Sequence, residues 1–62
     1  MSLYVRLTDG RTETVKIDEG EDVLHAKNEL INKIGKDRPQ WVYLENGHVL
    51  RVDQVVEIWI DV

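Results

Sequence analysis

Leu3, Val5 and Leu7 alternate with Tyr4, Arg6 and Thr8 at the start of the chain. A period of two is the mark of a half-buried strand. Asp9-Gly10 comes next, a hairpin signal because glycine tolerates positive φ. Residues 12–17 then predict a return strand with Val15 and Ile17 turned to the core and Thr14 and Lys16 turned out. After the acidic loop of residues 18–22 the period changes. Val23, Ala26, Leu30 and Ile34 recur at spacings of three and four, and Leu24 and Ile31 widen the stripe, which predicts a helix over about residues 23–36. Asp22 suits its N-cap, Gly35 its stop, and Pro39 the break beyond. Lys27 falls inside the apolar stripe, so its stem is expected to pack while the ammonium reaches water.

Alternation returns in the second half. Residues 41–45 predict a third strand with Val42 and Leu44 facing in. Asn46-Gly47 is a second hairpin signal, and residues 48–52 form a short return segment. Residues 55–62 predict the last strand, with Val56, Ile58, Ile60 and Val62 on one side and Val55, Glu57, Trp59 and Asp61 on the other. The order is ββαβ(β)β, an α+β chain read as one small domain over residues 1–62, with no linker or internal repeat.

The chain is similar to the ubiquitin-like (β-grasp) family at the level of fold. The likeness runs ungapped to about Leu50. It includes the strand Leu3-Tyr4-Val5-Arg6, the turn Gly10-Arg11-Thr12, and Val15, Ile17 and Asp18. It continues through Val23, Ala26, Lys27, Leu30, Lys33 and Gly35, then Gln40, Gly47 and Leu50. The resemblance implies one helix on a mixed four-stranded sheet in the order 2-1-last-3, with the first and last strands as parallel central neighbours. A ββαββ antiparallel meander, with the last strand beside the third, is the alternative. Two departures matter. Only Arg51-Val52-Asp53-Gln54 stand where that family has a longer excursion, and the chain closes on Ile60-Asp61-Val62 rather than on two glycines. The resemblance therefore implies an adaptor-like binding domain and not a conjugated modifier.

Composition narrows the chemistry. With 62 residues, the chain hides only about 60% of its unfolded surface, so its core is small. There is no cysteine, which removes disulfides, thiolate-bound zinc and thiol nucleophiles. Ser2 is the only serine, and it stands at the start of the chain, so a Ser/His/Asp triad has nothing to build on. His25 and Glu29 lie four apart on the helix, and His48 is the only other histidine, so an exposed helix pair is favoured over a metal site. Glu19 and Glu21 lack the calcium-loop pattern. Asp9-Gly10 and Asn46-Gly47 are turns, not phosphate loops. Neither an enzyme, a cofactor nor a resident metal is expected. No apolar run approaches the roughly 20 residues of a membrane span, and residues 1–10 read as strand rather than signal peptide, so a cytoplasmic protein is expected.

One feature exceeds a plain globular reading. The four aromatic residues, Tyr4, Trp41, Tyr43 and Trp59, all fall by alternation on the sheet face away from the helix. In the β-grasp order they lie on three adjacent strands and form one patch, with Arg6, Lys16, Arg51 and Glu57 at its rim. Exposed aromatic patches mark interfaces, and Trp and Tyr dominate binding hot spots. The expected partner is another protein or a second copy of this chain. Stacking on single-stranded nucleic acid is an alternative, opposed by the net charge of −4. A small acidic inhibitor or nucleic-acid mimic is a further one, motivated by the acidic residues between 18 and 22.

Overall fold

The computed structural model describes residues 1–61. Five strands and one helix follow in the order β1 (Ser2–Leu7), β2 (Thr12–Thr14), α1 (Val23–Lys33), β3 (Trp41–Tyr43), β4 (Val49–Arg51) and β5 (Val55–Asp61). A single 3-10 turn over Val52–Gln54 joins β4 to β5. The fold is α+β, with a three-stranded sheet in the order β2-β1-β5 and a two-stranded sheet β3-β4.

Every strand pairing is antiparallel. The first and last strands are neighbours, as the resemblance implies, but they run in opposite directions, with Leu3 opposite Ile60 and Val5 opposite Ile58. The expected parallel pair and mixed four-stranded sheet are thereby corrected. The meander alternative fails on a different point, because the last strand sits beside the first and not the third. What joins the two sheets is one antiparallel bridge between Val15 and Leu44. Lys16 N–H donates to the Tyr43 carbonyl at 2.9 Å and Glu45 N–H to the Thr14 carbonyl at 3.0 Å, on either side of it. This explains why β2 ends at Thr14 instead of running to Ile17. Beyond Thr14 the chain leaves the first ladder and begins the second.

The two hairpin turns are built alike. Gly10 N–H donates to the Leu7 carbonyl, Leu7 N–H to the Arg11 carbonyl, and Arg11 N–H to the Asp9 carboxylate. In the second turn Gly47 N–H donates to Leu44, Leu44 N–H to His48, and His48 N–H to the Asn46 side-chain oxygen. Both glycines have φ of +89°, which a side chain would resist. These are three-residue loops in which an Asp or Asn braces the turn and glycine completes the reversal. Arg11 also holds Asp9 through its guanidinium at 2.7 Å. The Arg11 backbone N–H first, then its side chain and charge, hold the Asp9 carboxyl below its ordinary value of 3.8. A depressed carboxylate stabilises the fold above that value and loses the contribution as pH falls through its folded value. Asp9→Asn should therefore flatten the acid limb of a stability profile taken from about pH 5 to about pH 2, while the neutral Asn46 turn contributes no such slope.

Helix α1 starts where expected. Asp22 accepts the Leu24 N–H at 3.0 Å, a cap worth about 1 kcal/mol. The helix ends at Lys33, short of residue 36, because Ile34 is already extended and Gly35 takes φ of +80°. Val23 and Leu30 enter the core and Ala26 packs against it, but Leu24, Ile31 and Ile34 stay exposed, so the buried stripe is narrower than the apolar stripe. Lys27 is half-buried, as its place within that stripe implies.

The core gathers Leu3, Val5, Leu7, Val15, Val23, Leu30, Val42, Leu44 and Val52, with Ile17, Leu50, Val55, Ile58 and Ile60 partly buried against it. Strand β5 departs from strict alternation at one place. The register slips between Arg6 and Leu7, which brings Val55 opposite Leu7 and leaves Val56 61% exposed. The sequence pattern put Val56 inside and Val55 outside. A bulge exchanges them, because one extra residue in a strand reverses the faces on its far side. Val62 lies outside the described residues.

Candidate functional site

The outer face of the three-stranded sheet carries a compact cluster. Pairing sets Tyr4 opposite Trp59 and Arg6 opposite Glu57 across β1 and β5, with Thr14 and Thr12 opposite Tyr4 and Arg6 on β2. Leu3, Val5 and Leu7 are committed to the core, so alternation turns Tyr4 and Arg6 outward. The Tyr4 and Trp59 rings stack, with centroids 5.7 Å apart and planes 24° from parallel. The Arg6 guanidinium lies 5.6 Å from the Trp59 ring centroid and bonds Glu57 at 3.0 Å. The carboxylate and the ring thus fix the guanidinium from two sides. Arg6 and Glu57 are about half exposed, so their ion pair adds little stability by itself. Its effect is positional: it holds the cation against the stacked rings on one outer face of the sheet.

The other two aromatics face outward as well, but elsewhere. Trp41 and Tyr43 are 47% and 60% exposed, while Val42 between them is buried. They do not extend the Tyr4–Trp59 cluster across adjacent strands as expected, because β3 is separated from β5 by β1 and β2. Thr14 and Lys16 stand between the two aromatic pairs. Of the residues expected to bind a partner, Tyr4, Arg6, Glu57 and Trp59 come together, and Trp41 and Tyr43 form a separate outer patch with Val49 opposite Tyr43.

A second assembly was not legible in the sequence. Lys33, Lys36, Arg38 and Arg51 line one cleft of about 340 Å³. These are four of the eight Lys and Arg residues, drawn together in an acidic chain. Asp37 and Asp53 line it too, and Arg51 is paired with Asp53 at 3.0 Å. Lys33 donates to the Trp41 carbonyl at 3.1 Å, which ties the helix end to β3. Density of cations between residues 33 and 38 was the one available signal; the approach of Arg51 depends on the β3–β4 hairpin.

His25 bonds Glu29 at 3.0 Å on the helix surface, as their spacing implies. Glu21 brings a third ligand-type atom to within 4.8 Å of both. His25 and Glu29 are more than half exposed and form an ordinary helix pair one turn apart, with Glu21 approaching from just before the Asp22 cap. The acidic loop has structural duties: Asp22 caps the helix, and the Asp18 carbonyl accepts the Glu21 N–H at 3.0 Å. No helix of the described residues is long and apolar enough to cross a membrane.

Comparison with known proteins leaves the site to be read on its own chemistry: no family model, no curated protein and no solved structure matches the chain.

Proposed function

We propose that this chain is a non-catalytic, cytoplasmic protein-interaction module that binds through the outer face of its three-stranded sheet. The observation that carries the reading is the Tyr4–Trp59 stack, capped by Arg6 and fixed by Glu57. Trp, Tyr and Arg are the side chains that dominate interface hot spots. Here all three are presented together on rigid strands, already ordered by one another, so little conformational entropy is left to lose on binding. The partner this surface fits is a protein with an apolar ridge for the ring faces and polar groups for Arg6 and Glu57. The test is affinity capture with the wild type and with Trp59→Ser, each first shown by circular dichroism to be folded. Retained capture by a folded Trp59→Ser overturns the reading.

A second reading has one observation in its favour. Two residues of the cationic cleft approach Trp41, Lys33 by bonding its carbonyl and Arg51 by strand pairing, and cations flanking an exposed aromatic can hold a single-stranded nucleic acid. The net charge of −4 and the two aspartates in the cleft oppose a polyanion. Titration of a fluorescent oligonucleotide at low salt separates the readings. The interaction module is expected to leave it unbound; binding that weakens steeply with salt and is lost on Arg51→Ala would favour the second.

A further inference from the structure

We infer that the free edge of β5, together with the adjoining flank of α1, pairs with the same edge of a second copy of this chain to form a symmetric dimer. The edge borders the outer-face cluster through Glu57 and Trp59, but the inference rests on the backbone edge and does not depend on the function proposed above.

The backbone geometry identifies the edge. Val15 N–H donates to Leu3, and Leu7 N–H to Arg11, so the odd residues of β1 turn their backbone groups toward β2. The even residues therefore bond β5, through Glu57, Trp59 and Asp61, their opposites in the register. Ile58 and Ile60 must turn their N–H and C=O groups to the other side. There, among the described residues, no backbone group of another element bonds them. Edge strands are commonly protected by lysine, proline or an inward charge. Strand β5 reads VVEIWID and has none of these; its one irregularity is the bulge at Val56.

Apolar surface lies beside this edge. Ala26, Glu29, Leu30 and Lys33 face the groove that the helix forms with Val15 and Val42. The opposite flank of the helix is thus turned to the β5 side, and it carries the exposed Leu24 and Ile31. Ile58 and Ile60 remain only partly covered below them. A standard interface takes about 800 Å² from each partner, under a fifth of the 4502 Å² exposed by this molecule.

The occupant follows from the sequence of the edge itself. Antiparallel pairing requires the outward-facing residues to oppose one another, so Ile58 can face Ile58 or Ile60 of the second copy. The second register stacks Glu57 against Asp61, which like charge disfavours. The first centres the two-fold on Ile58, brings the bulged, exposed Val56 alongside the end of the partner's strand, and places Glu57 opposite the partner's Trp59, whose ring carries the partner's Arg6. Acid then meets cation on the outer face, and the two Ile58 side chains meet on the inner one. The Ile58 pair on the axis exchanges two backbone hydrogen bonds, and the outward groups of Ile60 lie along the same seam. The result is a six-stranded sheet bearing both Tyr4–Trp59 clusters on one surface.

Sedimentation equilibrium from about 10 μM to about 1 mM tests this, with amide exchange measured on the same wild-type samples. The expected result is a mass rising from 7.2 kDa toward twice that value, with Ile58 and Ile60 amides becoming protected over the same concentration range. Val56→Lys and Ile31→Glu, both at exposed positions, should each weaken association about tenfold or more. Tyr4→Ser, which removes the stack and leaves the edge intact, should still dimerise. A mass fixed at 7.2 kDa overturns the inference. So does a dimer whose Ile58 and Ile60 amides stay unprotected, or one lost in folded Tyr4→Ser and kept in Val56→Lys.

Discussion

Leu44→Ala is expected to leave the chain largely unfolded at 25 °C. Leu44 is 1% exposed and stands where the two sheets meet, its backbone closing the second hairpin and bridging Val15. Truncating a buried leucine costs about 2–5 kcal/mol, because the site cannot collapse around the missing methyl groups. A domain of this size has about 3–9 kcal/mol in total at typical values per residue. The loss is therefore comparable with the whole stability. Urea unfolding followed by circular dichroism should show the midpoint shifted to near zero, whereas Val49→Ala, on the exposed side of the same hairpin, should move it little. Equal shifts for both would mean that the β3–β4 sheet does not share the core with the rest.

Trp59→Ser has the largest expected effect on binding. The substitution removes one ring of the stack and the surface over which Arg6 lies, and leaves Glu57 and Arg6 to pair in water. Central hot-spot residues cost about 2 kcal/mol or more when truncated, a loss of about thirtyfold or more in affinity. Trp59 is itself half-buried against Tyr4, so some stability is lost too. Trp59→Phe separates the two effects: it should restore most of the stability and only part of the affinity, measured by calorimetry against the captured partner. If binding and stability fall in constant proportion across both variants, the ring serves the fold and the recognition reading fails.

How much of this was legible before folding follows from what alternation can encode. Period-two patterning assigned Leu3, Val5 and Leu7, then Val42 and Leu44, to the interior, and turned Tyr4, Trp41, Tyr43 and Trp59 outward, because each strand carries its own record of which side is dry. The glycine turns and the Asp22 cap were local and equally readable. Direction and neighbourhood were not. Nothing in the alternation of β5 distinguishes a parallel from an antiparallel lie against β1. That choice rests on how the short Val52–Gln54 turn delivers the chain back to the sheet. The site was half readable for the same reason. Outward parity was correct for all four aromatics, but their grouping depended on strand order, which placed β2 between the pairs. The bulge at Val56 and the convergence of Arg51 on the cations after Lys33 are likewise products of tertiary register.

The antiparallel lie of the outermost strands along the chain also decides how the molecule answers a pull. Ser2 and Asp61 sit opposite each other, so tension applied through the two termini enters at one corner. It would peel the β1–β5 ladder rung by rung, each rung resisting alone. Parallel terminal strands would instead be loaded in shear, with all rungs sharing the force at once. This domain is built as a zipper, soft under mechanical load however well its interior is packed.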